Sequence, residues 1–308
     1  MKDIFRSRLV WSAVALAIVA TTLPWWLTGY ILGVLTVAYY FGVFAMSWDL
    51  LFGFAGEVNF GPTFLIGLGA YSAAILNAHA AAPIPVCVIA GGLVALVGGL
   101  LLAVPALRLR GPYFGLVTLV AVLLLQNAIV IFAGITGGEI GMMVPDVMSV
   151  DASNNYWIAL GFLIVCAIIL FGLSRSAIGL ILQASGQDTV GAQALGFNIV
   201  KHKLAAFCIS ALFSGVAGAM LVFYQGTASV STVVDIGIGV QIIIAAVLGG
   251  RRTILGAVLG SIFLIVAGEF LRPLGQINTF VVAAAALAVI LFFPDGLLGN
   301  ILRVRERE

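Results

Sequence analysis

Glu57 and Asn59 are the polar side chains best placed to act on a solute, because both stand in an apolar stretch interrupted by Gly53, Gly56, Gly61 and Pro62. A carboxylate and an amide so close together could hold a small polar molecule by charge and hydrogen bonds. Broken helices are tolerated at membrane depth where they line a cavity, and they recur at transport sites. An acid at the bilayer centre costs about 2.5–3.5 kcal/mol on insertion scales, so it requires water or a partner. A cytoplasmic turn with a solvated Glu57 explains the same pattern, and both readings stand at this point. On the first of them, Gly53, Gly56, Glu57, Asn59 and Gly61 line a translocation path.

The second polar stretch runs from Ser174 to Lys203, opening on Ser-Arg-Ser and closing on Lys-His-Lys. Ser185 reads as a helix N-cap, with Asp188 at the capping-box position three residues on. Asp188 also puts negative charge at the positive end of the helix dipole. Gly196 supplies a left-handed stop, so the expected helix runs from Gly186 through Gln187 to Leu195. At 1.5 Å per residue it spans about 15 Å, too short to cross a bilayer and too isolated to be stable alone. Such a helix makes sense if it lies across the membrane face and packs against something else, and a capped loop helix with no partner explains the same pattern. Gly191, Ala192 and Ala194 are small enough to enter a cleft, with Val190 and Leu195 available as apolar contacts.

These stretches are carried by an oily chain: 63% of its 308 residues are hydrophobic and 8% charged, with a mean hydropathy of +1.22. Repeated apolar runs near twenty residues, without strand-like alternation, indicate an all-α polytopic membrane protein rather than a barrel. About ten spans are expected, at 9–27, 31–52, 61–78, 86–104, 113–133, 156–173, 204–224, 234–250, 254–271 and 277–293. The basic start resembles a signal peptide, but the apolar run behind it is long enough to be read as a first membrane helix. With both termini cytoplasmic, thirteen Lys and Arg fall inside and only Arg272 outside, a strong positive-inside signal. The net charge of +2 follows this pattern and makes no nucleic-acid patch. One transmembrane domain is expected over 1–308, with its polar cytoplasmic loop at about 174–203 and no appended hydrophilic domain.

Several chemistries are missing from the sequence. No Gly-Lys pair occurs, so there is no Walker A loop. His79 and His202 fall on opposite sides of the expected topology and cannot share a metal, and Cys87, Cys166 and Cys208 sit in apolar runs as small core residues. A second glycine-rich break, Leu248 to Gly260, carries Arg251 and Arg252, read as surface anchors. The small faces at Gly215, Gly218 and Ala219, and at Gly256 and Gly260, suit close helix packing. Gln126, Asn127 and Gln241 are expected to hydrogen-bond between helices, and Glu269 to pair with Arg272.

The chain resembles the permease subunits of bacterial ABC importers for branched-chain amino acids, of the LivM type. The resemblance rests on Gly-Phe-Ala-Gly-Glu-Val-Asn-Phe-Gly at 53–61 with Gly-Ala-Tyr at 69–71, Pro-Ala-Leu-Arg-Leu-Arg-Gly at 105–111, Thr-Gly-Gly at 136–138, Ala-Gln-Ala-Leu-Gly-Phe-Asn at 192–198 and Phe-Phe-Pro-Asp-Gly-Leu at 292–297. It implies an inner-membrane, multi-pass subunit that passes a small polar solute into the cytoplasm. The implied partners are a second homologous permease, two cytoplasmic ATP-binding cassette subunits and a periplasmic solute-binding protein, with membrane lipid around them. ATP and magnesium then belong to the partner ATPase, and this chain carries no cofactor and no metal. The 186–195 helix becomes the element that docks into the ATPase. Glu57, where an amide is more usual in this family, and Pro62 depart from its pattern, so the implied substrates widen to other neutral amino acids, urea or short amides, and aromatic acids. The other function class is an ion-coupled secondary transporter using Glu57 or Glu269 as its coupling acid.

Overall fold

The computed structural model describes residues 17–109, 113–275, 277 and 284. Its helices are α1 Gly29–Asp49, α2 Pro62–Ala80, α3 Ile84–Ala106, α4 Tyr113–Ile131, α5 Ala152–Arg175, α6 Ala177–Gln187, α7 Thr189–Ala194, α8 Ile199–Gln225, α9 Ile236–Gly249 and α10 Leu255–Leu271. Among the described residues, seven segments are long and apolar enough to cross a membrane: α1 with the turn after it, α2, α3, α4, α5, α8, and Val230–Gly249, in which a short turn of helix leads into α9; α10, at 17 residues, is a shorter apolar helix. They coincide within a few residues with the expected spans from 31–52 to 254–271. The expected span at 277–293, save two of its residues, and the first eight residues of that at 9–27 lie outside the described residues, as do both termini. Of the first span, residues 17–22 are helical and Leu23–Trp25 forms a 3-10 turn.

The helix ends follow local chemistry. Asp151 caps α5 by accepting from the Ser153 N–H, and Asn198 caps α8 by accepting from the Lys201 N–H. Pro83 and the proline in the first turn of α3 set its start, where a missing N–H costs nothing. Gly226, at φ +72°, closes α8 with the left-handed turn that glycine adopts without strain.

Helix α1 is the axis of the bundle, packing against α5, α8, α9 and α10. Tyr39, Tyr40, Phe44 and Trp48 on it are buried, and the Tyr39 and Tyr156 hydroxyls meet at 2.8 Å. A second centre is the crossing of α2, α3 and α8. A Cβ added to Gly69 would stand 2.1 Å from the Gly215 carbonyl oxygen, and one on Gly215 would stand 2.2 Å from Ala95 Cβ. With lipid as apolar as leucine, helices gain from this close approach rather than from hydrophobic burial. The small faces at Gly218, Gly256 and Gly260 are likewise in backbone contact, with Ile66, Gly249 and Ala245.

At the end of the bundle away from the coupling segment, the loop after α4 is fastened down. Its strand β1 Met142–Met143 pairs antiparallel with β2 Thr227–Ala228. Behind that pair, Asn77 Nδ2 donates to Asp146 Oδ2 at 2.8 Å, and the Asp146 N–H returns to Asn77 Oδ1 at 3.3 Å.

Candidate functional site

The break between α1 and α2 is an ordered piece of backbone. Past Asp49 the helix widens into a π-helical turn, Leu50–Phe54, before Gly56 reverses the chain at φ +73°. Backbone groups freed here must find partners, since buried and unpaired they cost as much as lost hydrogen bonds. They do: Trp48 Nε1 donates to the Asn59 carbonyl at 2.6 Å, the Phe60 N–H to Thr118 Oγ1 at 3.0 Å, and the Gly61 N–H to Asn59 Oδ1 at 2.8 Å. The Asn59 side-chain oxygen is therefore engaged in its own turn. Gly61 lies flat on α4, where a Cβ would stand 2.0 Å from the Thr118 carbonyl oxygen. Glu57 has the partner its setting demands, Lys203 Nζ at 2.6 Å from Oε1, with both side chains partly buried.

The coupling segment differs from the expected single helix over 186–195. Ser185 is not an N-cap: it lies inside α6, buried, and donates to the Leu182 carbonyl at 2.8 Å. The cap of α6 is Ser176, whose hydroxyl accepts the Gly179 N–H. This start wins because the apolar run after Ser176 gives α6 one face to bury, through Gly179, Leu182 and Ser185, and that face carries the helix past Ser185 to Gln187. Asp188 is itself the N-cap of the six-residue α7, accepting from the Val190 N–H at 3.0 Å and the Gly191 N–H at 2.9 Å. Gly186 and Gln187 thus belong to α6, Leu195 is the C-cap of α7, and Gly196 makes the expected left-handed stop at φ +86°. Ala192 does not offer itself to a cleft, being 3% exposed within its own chain. Val190 and Leu195 do face out, at 75% and 76% exposure, with Ala194 beside them and Gly191 half-buried.

The break and the coupling segment touch, although neither stretch of sequence points to the other. A Cβ on Gly186 would stand 2.7 Å from the Phe54 carbonyl oxygen, and one on Gly56 would stand 3.0 Å from Gly186 Cα. Lys203 adds the ion pair to Glu57 from the first turns of α8. The two sets of candidate residues form one junction.

Sequence reasoning missed a residue on the other side of the break. Asp49, 1% exposed, accepts the Arg252 N–H on Oδ1 at 3.1 Å and the Thr253 and Ile254 N–H groups on Oδ2, each at 3.2 Å. Arg252 Nε donates to the Gly53 carbonyl at 2.8 Å, and the Arg251 guanidinium lies 4.3 Å from the centre of the Phe52 ring. The signal available was an acid some twenty residues into an apolar span. Arg251 and Arg252, read as surface anchors, thus also bind the two glycine-rich breaks together. Glu269 pairs with Arg272 at 2.9 Å as expected, and Tyr30 donates to the same carboxylate. Gln126 bonds between segments, to the Val234 carbonyl at 3.1 Å. Asn127 does not: it donates to Leu123 of its own helix and stays exposed.

The family model for the permease component of branched-chain amino acid transport systems matches residues 30–294. The chain is 26% identical over 319 residues to the high-affinity branched-chain amino acid transport system permease protein LivM of Escherichia coli (strain K12), covering 92% of this chain and 74% of that one. The LivM protein of Salmonella typhimurium (strain LT2) is 25% identical over 318 residues, with 92% and 73% covered. The permease protein BraD of Pseudomonas aeruginosa is 26% identical over 294 residues, with 86% and 94% covered. No solved structure matches the chain. The family match takes in both breaks and the whole coupling segment, and on it the chain belongs to the permease components of branched-chain amino acid transport systems, as a membrane subunit of an ABC importer whose ATP is hydrolysed by other subunits.

Proposed function

We propose that this permease, with a second homologous permease, two cytoplasmic ATP-binding cassette subunits and a periplasmic solute-binding protein, carries a branched-chain amino acid or a similar small neutral solute across the bacterial inner membrane into the cytoplasm. The observation that carries the coupling half of this reading is the junction of Gly56 with Gly186 and of Glu57 with Lys203. Through it, a push delivered to α6 and α7 by an ATPase reaches the broken end of α1 directly. Gly53, Gly56, Glu57, Asn59 and Gly61 then border the cytoplasmic mouth of the path, with the Glu57–Lys203 pair tying that mouth to the coupling segment. ATP and magnesium act in the partner subunits, and membrane lipid surrounds the apolar faces of the helices.

Orientation is supported by charge. Among the described residues, Arg108, Arg175, Lys201, Lys203, Arg251 and Arg252 stand against Arg272 alone at the other end. Single cysteines at Asn154 and Gln187, both exposed, in a background without Cys87, Cys166 and Cys208, should label from opposite sides of the membrane, Gln187→Cys only from the cytoplasm. Labelling of both from the periplasm would overturn the orientation. Ser185 is unsuited to this test because it is buried.

Both acids that an ion-coupled carrier would use are held in ion pairs, Glu57 with Lys203 and Glu269 with Arg272. The chain alone in liposomes, under a proton or sodium gradient, should therefore take up none of its solute. Uptake of leucine or another small neutral amino acid should appear only with the sister permease, ATPase and binding protein present. Gradient-driven uptake by the single chain would replace the importer reading with a secondary carrier.

A further inference from the structure

Asp49 is the one acid buried among the described residues, and neither the ATPase-facing segment nor the solute path uses it. A carboxylate withdrawn from water is costly unless charge-assisted hydrogen bonds replace its hydration. Here three backbone N–H groups do so, all from the turn between α9 and α10. That turn is strained, with Arg252 at φ +64° and Ile254 at φ +29°. Positive φ is uncommon outside glycine, and for a β-branched residue it persists only where the surroundings over-determine it. The Asp49 carboxylate is the group that does so. In return, the Arg252 side chain reaches back to the Gly53 carbonyl. No side chain fits at Gly53, where a Cβ would stand 2.2 Å from Asp49 Oδ1 and 2.8 Å from the Arg252 nitrogen. Beyond it, the chain comes to Gly56 and Glu57, and so to Gly186 and Lys203.

We infer that Asp49 and Arg252 are positioning residues for transport, latching the break to the α9–α10 turn so that displacement of α6 moves the α9–α10 hairpin together with the start of α2. The contacts run unbroken from Gly186 through Phe54 and Gly53 to Arg252. The π turn between them is a form of helix found often at functional sites. The inference rests on the reading of α6 and α7 as the ATPase-docking segment.

The test uses the complete reconstituted importer and leucine, with uptake and ATP hydrolysis measured together. Asp49→Asn keeps the size but turns a donor toward one of the three N–H groups. Arg252→Ala removes only the bond to Gly53 and leaves its backbone N–H on Asp49. In both, the ATPase subunits should still co-purify and basal hydrolysis should stay within about twofold of wild type. Uptake per ATP should fall about tenfold in Asp49→Asn and about threefold in Arg252→Ala, the range expected when a coupling contact is lost. A purely structural Asp49 would lower the yield and Tm of the complex and leave uptake per ATP unchanged, which overturns the latch. If Asp49→Asn fails to assemble, Arg252→Ala decides, and an unchanged ratio in it is equally fatal. Absence of uptake by the wild-type complex would instead sink the importer reading beneath.

Discussion

With Val190 and Leu195 both replaced by aspartate, the ATPase subunits should no longer co-purify with the permease, and uptake should fall at least about a hundredfold. Both side chains are roughly three-quarters exposed, at 75% and 76%, more than any other large apolar group of the coupling segment. The Asp188 cap and the buried Ala192 fix which way α7 faces, so these two apolar groups are presented rather than swinging. Central interface residues of this kind are worth about 2 kcal/mol or more each, and about 2.7 kcal/mol in total is already a factor of a hundred. Exposed positions tolerate such changes within about 0.5 kcal/mol of fold stability, so the permease itself should insert in normal amounts. Pull-down of the ATPase from the detergent-solubilised complex, with uptake in parallel, checks this. Normal recovery of the ATPase would put the docking surface elsewhere. A bulky group at Ala192 is the less informative change, because it would unseat α7 from its own chain before any partner met it.

Gly186→Val should leave the ATPase attached and still reduce uptake by at least about tenfold. The added carbon would begin 2.7 Å from the Phe54 carbonyl oxygen and 3.1 Å from the Ala55 carbonyl carbon. Those are backbone atoms, unable to yield as a side-chain tip would, so α6 and the break must separate. Overpacking costs about 1–3 kcal/mol, and the strain falls on the junction rather than on the exposed face of α7. Gly186→Ala should lie between wild type and valine. Wild-type uptake by Gly186→Val would mean that contact between α6 and the break does not transmit movement.

The spans were readable because a bilayer demands an apolar run of nearly fixed length, and this demand overrides local propensity. Gly196 and the Glu269–Arg272 pair were readable because each acts within a turn or two of itself, as was negative charge from Asp188 at a helix start, though Asp188 is itself the N-cap rather than the third residue after one. Ser185 was misread since two good capping residues stand three apart, and only the buried face of α6 decides between them. The junction was not readable at all. Glu57 and Lys203 are 146 residues apart, and Asp49 stands 203 to 205 residues from the N–H groups it accepts. A glycine at 186 shows in sequence as freedom of the chain, whereas its use here is the missing Cβ that lets two distant backbones meet, and Gly56 serves both ends, turning the chain at φ +73° and leaving room for Gly186.

The loop pinned by Met142–Met143 on Thr227–Ala228, and by Asn77 on Asp146, has a consequence for encounters at that end of the molecule. Ile140 and Val150 project from it at 95% and 96% exposure, yet the backbone beneath them is already ordered. A protein settling there meets a rigid landing platform and forfeits little conformational entropy on the permease side. Modest contacts can therefore hold it, and release stays fast.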